Sequence, residues 1–453
     1  VGLLTSKINF EGPIIKNRTS FNISARRSYI DLLAKPFMPK DEKYSYYFFD
    51  VNAKINHKFS DRSRLFLSAY NGKDHFMTKY DDTYYGDEDK YRDGGKMNWG
   101  NTIVSGRWNY IFNNKLFSNT TVAFNNYKFD VSTFTKNEIH TNNQITWNRY
   151  KADYKSGIRD WSAQIDFDYN PIPTHHVKFG VQYLHHSFRP EVSTSKIFDK
   201  TGETIERDTY YTTSNSEILA HEASAYLEDN FNLSSRLRMN LGLHFSTFQV
   251  QKKNYFSVQP RISARYQLSK DVVLKASYTK MSQYVHLISS MPFAMPTDLW
   301  VPVTSKIKPM QAHQVSLGGY YTGIDGWEFS IEGYYKGMKN VLEYKDGVSF
   351  LGSSTGWEDK VEMGHGRSMG VEFMAQKTIG KTTGWLAYTL AKSDRKFATG
   401  GINNGERFPY KYHHRPDTQS SVQRTDRCKC FLDIYHRRYD NDPHRTDRYY
   451  PSG

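Results

Sequence analysis

Residues 51–59 read Val51-Asn52-Ala53-Lys54-Ile55-Asn56-His57-Lys58-Phe59. Val, Ala, Ile and Phe occupy one set of alternate positions, whereas Asn and Lys occupy the other. Because successive side chains of a β-strand point to opposite faces, this stretch predicts a strand with one apolar and one polar side. The same alternation recurs at 161–169, 223–231 and 258–268. The fold therefore has to accommodate a long series of apolar strand faces.

The composition favours lipid over a protein core as the environment of those faces. Hydrophobic residues make up 38% of the 453-residue chain, the mean hydropathy is −0.72, and 15% of residues are aromatic. A membrane barrel with a polar lumen needs only one apolar face on each strand and carries aromatic girdles at both interfaces. A large soluble β-solenoid or propeller is the alternative, but it should show a fixed repeat period. The spacing between predicted turns varies widely, which favours the barrel.

Other features of the sequence limit the protein class further. There is no apolar run of about 18 residues, so the sequence predicts no transmembrane helix. Cys428 and Cys430 are the only cysteines, which suits a chain that crosses an oxidising compartment unfolded. The net charge of +14 comes from dispersed Lys and Arg rather than from a basic block. We therefore expect no nucleic-acid partner and assign this charge to a solvated lumen and loops.

Connections of two lengths alternate along the chain. Short turns rich in Asn, Asp, Ser and Pro are predicted at 60–63, 113–114, 170–174, 232–235 and 269–271. Longer polar or Gly-rich connections are predicted at 78–95, 132–157, 189–216, 289–308 and 345–366. This sorting is typical of outer-membrane barrels, in which tight turns are periplasmic and long loops are extracellular. About sixteen strands are predicted between Leu4 and Lys392.

The sequence also carries four recognisable segments in a fixed order. They are Val1–Leu33, Pro260–Tyr266 with Leu274–Tyr278, Lys308–Ala312 with Gln314–Gly318, and Gly366–Phe373, which is followed by Gly384–Lys392 and Arg407–Tyr412. Together they resemble the β-barrel of TonB-dependent outer-membrane receptors, particularly those of the Bacteroidetes type. No single segment is specific, and the resemblance depends on their order over about Val1 to Tyr412.

The resemblance implies an all-β fold, a large antiparallel transmembrane β-barrel, with about 16 of an expected 22 strands in this chain. It implies a transporter in the outer membrane of a Gram-negative bacterium that binds a scarce nutrient at extracellular loops. That nutrient would be an iron chelate, a vitamin, an oligosaccharide or a peptide. The implied partners are outer-membrane lipid, the nutrient, the TonB complex acting through an N-terminal plug and TonB box, and a surface lipoprotein. Neither a cofactor nor an enzymatic activity is expected.

Both ends of the sequence depart from the family pattern. Val1 lies within a predicted strand, so residues 1–412 are expected to be a partial barrel without the plug. Alternation stops near Tyr412, and residues 413–453 are expected to be an aberrant tail, either frameshifted or disordered. Read one nucleotide out of frame, the stretch from Cys428 to Arg445 admits strings similar to the family's next strand and loop. Sequencing the DNA between the codons of Tyr412 and Cys428 should therefore reveal a single-base insertion or deletion, and an intact frame there would refute this hypothesis.

Candidate ligand-binding residues lie on two of the long connections. Asp298 and Trp300 belong to an apolar and aromatic stretch at 291–300, and Tyr84 and Tyr85 lie on another connection that is predicted on the same side. Packing of the loop against itself is the alternative explanation for such apolar residues.

Three histidine pairs, at 175–176, 185–186 and 413–414, are interpreted as exposed polar residues rather than as metal ligands. Adjacent residues on a strand face opposite ways, so a pair cannot easily chelate one ion. We find no catalytic triad order, phosphate loop or zinc spacing in the sequence.

Two other functions stay open on the sequence alone. One is a passive porin-like outer-membrane channel, which an upstream plug with a TonB box would exclude. The other is a soluble surface β-protein that binds glycans, which should not migrate in a heat-modifiable way in the outer-membrane fraction.

Overall fold

The structure is a computed structural model that describes residues 2, 4–83, 90–141, 144–201, 203–207, 217–288, 299–345, 356–380, 382–397, 411–424 and 429–435. Strands account for almost all of this part of the chain. They are β1 (Thr5–Ile15), β2 (Thr19–Ser28), β3 (Glu42–Ser60), β4 (Ser63–Thr83), β5 (Lys90–Asn113), β6 (Leu116–Thr141), β7 (Gln144–Tyr169), β8 (His175–Thr201), β9 (Glu203–Arg207), β10 (Ile218–Asn232), β11 (Leu237–Val250), β12 (Lys253–Gln267), β13 (Val272–Gln283), β14 (Val285–Ile288), β15 (Leu299–Pro302), β16 (Met310–Tyr321), β17 (Trp327–Tyr344), β18 (Val361–Lys377), β19 (Thr382–Lys396), β20 (Lys411–Arg424) and β21 (Lys429–Tyr435). A short helix α1 (Ile30–Ala34) and two single turns of 3₁₀ helix (Lys35–Phe37 and Trp357–Asp359) complete the described elements.

One antiparallel sheet contains all the long strands in chain order. Each strand from β1 to β8 pairs with the next, β8 pairs with β10, and the series continues through β13, β16 and β19 to β21. The sixteen long strands between Thr5 and Lys396 confirm the predicted strand number and the antiparallel barrel wall. Among the described residues β1 and β21 do not pair with each other, so the sheet has two open edges.

The register aligns the apolar residues of neighbouring strands on one face. Ala53 lies opposite Ala69, which lies opposite Val104, and this row continues through Phe124 to Trp161. We call this side of the sheet the apolar face. Its large side chains are solvent-accessible in the isolated chain, and Trp161 is 53% exposed. The polar positions of the same strands share the opposite side, which we call the polar face.

Asn and Ser residues fix the short turns as the sequence predicts. The side-chain oxygen of Asn113 accepts hydrogen bonds from the backbone N–H groups of Lys115 and Leu116, at 2.8 and 3.1 Å. Ser234 accepts in the same way from the N–H of Leu237, at 3.0 Å. These side-chain bonds replace ladder bonds where the chain reverses. The opposite end of the sheet, where the longer connections lie, is called the loop end below.

Three of the predicted long connections are wrong. Residues 78–95, 132–157 and 189–216 fall largely within strands, since β4 extends to Thr83, β6 extends to Thr141, β7 begins at Gln144, and β8 extends to Thr201. Strands β5 to β8 consequently have 24 to 27 residues, whereas β11, β12, β13 and β16 have 12 to 15. In these extensions the positions that continue the apolar face carry polar residues, because a strand that is surrounded by water does not need an apolar side. The alternation that marks a strand is therefore missing there, and the prediction failed.

The backbone beyond Tyr412 continues the sheet. Strand β20 pairs with β19, and β21 pairs with β20. The division of the chain at residue 412 stays a prediction.

Candidate functional site

A small hairpin at the loop end stands apart from the large sheet. Strands β14 and β15 pair only with each other within the described chain, with Leu287 opposite Trp300 and His286 opposite Val301. Alternation divides the hairpin into two sides. His286, Ile288, Leu299 and Val301 share one side, and all four are buried. One side of this hairpin is therefore packed against the rest of the protein.

The buried side of the hairpin packs on aromatic residues of the sheet. Leu299 and Val301 form one apolar cluster with Phe129 of β6 and Tyr154 of β7. The rings of Phe129 and Tyr154 meet edge to face at 6.0 Å between centroids. Phe129 lies on the polar face, because Asn125, four residues before it, is opposite Asp160. The polar face thus becomes apolar near the loop end, and the hairpin covers this part of it.

A second set of contacts fixes the segments that lead into and out of the hairpin. The phenol of Tyr284 hydrogen-bonds to Ser246 Oγ at 2.7 Å, and its ring stacks on Phe248 at 4.9 Å. After β15, the backbone N–H of Val303 donates to the carbonyl of Tyr284 at 2.8 Å, and Tyr255 Oη donates to the carbonyl of Thr304 at 2.6 Å. Both ends of the hairpin are consequently anchored to the sheet.

The other side of the hairpin carries the candidate residue Trp300. Its cross-strand partner Leu287 is 45% exposed, and Trp300 itself is half-buried. The pair therefore forms an apolar and aromatic surface that points away from the buried cluster. Asp298, Tyr84 and Tyr85, the three other candidate ligand-binding residues, lie outside the described residues, so the structure places Trp300 alone.

A buried histidine on the polar face was missed by sequence reasoning. His186 is only 4% exposed, and the interpretation of the pair at 185–186 as exposed polar residues is wrong for it. Its Nδ1 lies 2.8 Å from Asp160 Oδ1, and its Nε2 lies 3.6 Å from Glu222 Oε2. His185 faces the other way and lies beside Tyr183 and His221, as alternation requires.

Further hydrogen bonds between polar side chains follow on the polar face, from His186 toward the short turns. Tyr226 Oη donates to Asp166 Oδ1 at 2.8 Å, and Gln164 Nε2 also donates to that carboxylate, at 2.8 Å to Oδ2. Nearer the short turns His176 Nε2 lies 2.7 Å from Asp168. Carboxylates on this face are thus held by neighbouring strands rather than left free.

Within the described ranges, no three His, Cys, Asp or Glu side chains come close enough together to hold a metal ion. No helix in the described part of the chain is both long and apolar enough to cross a membrane.

The hairpin is expected to be sensitive to acid through His286. Burial lowers the pKa of this histidine from 6.5 to about 4. Between those values the unfolded or undocked state binds a proton that the docked state does not, so docking weakens as pH falls through this window and is fully restored above it. The whole effect amounts to roughly 3 kcal/mol at about 1.4 kcal/mol per pKa unit. Hydrogen exchange of the β14 and β15 amides, corrected for intrinsic rates, should therefore show falling protection from pH 7 to pH 4.

His286→Leu is the matched variant for this measurement, because it keeps the buried volume apolar and removes the proton-binding group. It should abolish the pH dependence of the hairpin amides and leave those of β11 and β12 unchanged. Equal pH dependence in His286→Leu and the wild type would show that another group is responsible.

The sequence profile of the family described as TonB dependent receptor-like, beta-barrel matches residues 44–439. A search among curated proteins gives no significant match.

Solved structures with the same fold include two receptors and one transporter. The ferric-catecholate import receptor Fiu from E. coli K12 is 13% identical with a TM-score of 0.54, over 93% of this chain and 69% of that one. The ferripyoverdine receptor of Pseudomonas aeruginosa, bound to ferripyoverdine, is 9% identical with a TM-score of 0.54, over 93% and 64%. The RagAB peptide transporter is 10% identical with a TM-score of 0.55, over 92% and 55%. At these identities the likeness shows the fold alone, and the chain spans between 55 and 69% of the lengths of the three chains it matches.

Proposed function

This chain belongs to the TonB-dependent receptor-like β-barrel family, and from that premise we propose that it serves the uptake of a scarce nutrient across the outer membrane of a Gram-negative bacterium. The apolar face then contacts the hydrocarbon of the bilayer, and the polar face lines the lumen. The family profile covers residues 44–439, which is most of the chain. The family consists of receptors and transporters rather than enzymes.

The observation that carries the proposed ligand site is the free side of the β14–β15 hairpin. Trp300 and Leu287 form an apolar surface on the side of the hairpin that faces away from the sheet. The buried residues on the other side of the hairpin hold this surface in place over the polar face. Trp is prominent among residues that dominate binding energy, because its large rigid ring loses little entropy on contact. We propose that this surface contacts the nutrient, with Asp298, Tyr84 and Tyr85 as further contacts from neighbouring connections.

The substrate class that fits this surface best is a ligand with planar aromatic or apolar groups, such as a ferric catecholate. Two of the similar structures are described as a ferric-catecholate import receptor and a ferripyoverdine receptor, which agrees with this choice. A peptide is the second class, as the RagAB transporter illustrates. We also propose that the TonB complex energises uptake and that a surface lipoprotein assists it, in keeping with the family.

The test is uptake by cells that express the protein encoded by the full gene and lack their own catecholate receptors. ⁵⁵Fe bound to a tris-catecholate and a labelled oligopeptide mixture are supplied separately, with and without a protonophore. We expect uptake of the iron complex that the protonophore abolishes. Uptake that survives the protonophore would instead indicate a passive channel, and uptake of peptide alone would reassign the substrate.

Replacing Trp300 with Ala should lower the apparent affinity for the transported probe by about 30-fold or more, the loss expected when an aromatic anchor worth about 2 kcal/mol or more is truncated. The matched control is Trp108→Ala, because Trp108 is an exposed tryptophan near the short turns at the opposite end of the sheet. Surface expression of both variants is measured by antibody binding to intact cells. An affinity unchanged in Trp300→Ala, or reduced equally in Trp108→Ala, would contradict the proposed site.

A further inference from the structure

A groove lies on the apolar face in the interior of the sheet, across β7, β8, β10, β11 and β12. Short side chains, Ala223 and Ala225 of β10, form its floor. The register places Tyr183 of β8 opposite Ala223 and Phe245 of β11 opposite Ala225, so a ring stands on either side of this floor. The volume of the groove is about 690 Å³, which is within the range of small-molecule sites. We call it the alanine groove.

The walls of the alanine groove are apolar. Val181 and Phe256 complete them and are 54% and 69% exposed, so no other part of the described chain covers them. No charged side chain of the described residues lines the groove. The sheet continues on both sides of it, through β6 next to β7 and β13 next to β12. The exposure of this apolar surface is therefore not a consequence of the two open edges of the sheet.

The register also gives the depth of the groove relative to the membrane. Trp161 lies opposite His185, and His185 lies opposite His221, in the row next to the groove on the loop side. Aromatic residues in such a position mark the membrane interface of a barrel. Ala223 follows His221 by two residues toward the short turns, which is roughly 7 Å along the strand. The groove therefore begins at the interface and extends into the hydrocarbon.

Tyr183, His185 and His221 form a polar cluster at the loop end of the groove. The phenol oxygen of Tyr183 lies 2.7 Å from His221 Nδ1, and the Nδ1 atoms of the two histidines are 3.4 Å apart. When the phenol donates to His221 Nδ1, the proton of the neutral ring is on Nε2. Glu217, a carboxylate whose charge interacts with that of His185, is hydrogen-bonded to Ser187. Among the described residues the Nε2 of His221 has no hydrogen-bond partner, so it is left to a ligand.

Packing distinguishes the groove from the rest of the apolar face. Lipid chains are as apolar as the side chains of the protein, so an apolar contact in the bilayer depends on van der Waals packing rather than on the removal of water. A chain on a flat wall is contacted from one side. A chain above Ala223 and Ala225 is contacted by the floor and by the rings of Tyr183 and Phe245. It therefore gains contacts that other lipids around the protein lack.

We propose that, given the proposed contact of the apolar face with the bilayer, the alanine groove holds one acyl chain of a phospholipid from the leaflet on the loop side. The Nε2–H of His221 donates to an ester carbonyl at the head of this chain. The occupant follows from the position of the groove. It opens onto the hydrocarbon, and its polar cluster lies at the level where ester groups join headgroup and chain. This lipid site is separate from the proposed nutrient site, which lies over the polar face.

The test uses the full chain refolded in phosphatidylcholine nanodiscs that contain a phosphatidylcholine with a photoreactive diazirine in the middle of one acyl chain. Illumination attaches the probe to neighbouring residues, which are mapped by peptide mass spectrometry. We expect labelling of the β10 and β11 peptides at the groove to exceed that of the apolar positions of β3 and β4 by at least about fivefold.

The variant Ala223→Leu/Ala225→Leu fills the floor and should reduce labelling at the groove to the level of β3 and β4. Ala225→Leu alone replaces it if the double variant does not refold. The matched control is Ala53→Leu/Ala69→Leu, which makes the same change at a cross-strand pair elsewhere on the apolar face. It should leave labelling at the groove unchanged.

The polar contact is tested separately, by native mass spectrometry of phospholipid that stays bound after transfer to detergent. We expect the wild type to retain a single phosphatidylcholine. His221→Phe keeps an aromatic ring but removes the donor, and it should weaken this retention by about fivefold, the effect of one hydrogen bond. His313→Phe is the matched control, because His313 also contacts a tyrosine on the apolar face but lies outside the groove.

Even labelling over the whole apolar face would overturn the proposed lipid site and leave the membrane contact of that face intact. Absence of labelling from the apolar face would contradict the proposed function and the lipid site with it. Equal effects of a variant and its matched control would overturn the site. Displacement of the retained phospholipid by free palmitate at equal concentration would show a fatty-acid site instead. A dimer in micelles that Ala223→Leu/Ala225→Leu dissociates would show that a second copy fills the groove. Either of these last results would also overturn the proposal.

Discussion

Replacing His186 with Phe is expected to lower the free energy of unfolding by about 3–5 kcal/mol, the usual cost of removing one partner from a buried charge pair. The imidazole lies between Asp160 at 2.8 Å and Glu222 at 3.6 Å and is almost fully buried. Both ring nitrogens face a carboxylate oxygen, and both can donate only when the ring carries two protons. Without it, two carboxylates on flanking strands face each other with no donor between them.

The neighbouring residue supplies the control for this experiment. His185→Phe makes the same chemical change one position away, on the apolar face, where an aromatic ring suits the environment. It should alter stability by less than about 1 kcal/mol, as surface substitutions usually do. Guanidinium titration of the refolded proteins in micelles, followed by tryptophan fluorescence, measures both. Equal losses in the two variants would show that the carboxylate contacts of His186 contribute nothing specific.

Val301→Asp is expected to undock the β14–β15 hairpin without unfolding the sheet. Val301 is fully buried in the cluster with Phe129 and Tyr154, and its cross-strand neighbour His286 is kept neutral at pH 7 by burial, so a carboxylate at this position would face an uncharged ring. Burying an unpaired charge costs several kcal/mol, more than a four-residue hairpin can supply through its own ladder. The wall has its own continuous ladder of hydrogen bonds, so local opening is the cheaper response.

Hydrogen exchange measures this undocking directly. Protection of the β14 and β15 amides should fall by at least about 100-fold in Val301→Asp, which corresponds to roughly 2.7 kcal/mol. Protection in β11 and β12 should stay unchanged. Leu287→Asp is the control, because Leu287 belongs to the same hairpin but lies on its exposed side. Comparable loss in both variants would mean that the hairpin is not held by its buried face, and Trp300 would then lose the support proposed for ligand contact.

The large sheet of this protein could be predicted because the sequence patterns that specify its strands and turns are local. Alternation over a single stretch such as 51–59 specifies a strand and its two faces, and Asn or Ser at a turn specifies where it reverses. These signals were sufficient for sixteen strands and their order. They failed at 132–157, where both sides of the strand are polar enough in sequence to resemble a loop.

The candidate site was less predictable because it depends on pairing between distant segments. The identity of Trp300 singled it out, but only the register with Leu287 shows which way it faces. His186 carries no local signal of burial, since Asp160 and Glu222 approach it from neighbouring strands. A single sequence read along the chain does not reveal such cross-strand neighbours.

The unequal strand lengths determine how a molecule can approach from outside. Strands β5 to β8 exceed β11 to β13 and β16 by about ten residues, which at a tilt of 35–45° raises their ends by roughly 25 Å. Within the described residues the loop end of the sheet is therefore uneven, because β5 to β8 reach further than β11, β12, β13 and β16. The β14–β15 hairpin packs on β6 and β7, so the ligand surface proposed around Trp300 lies beside the longer strands of the sheet.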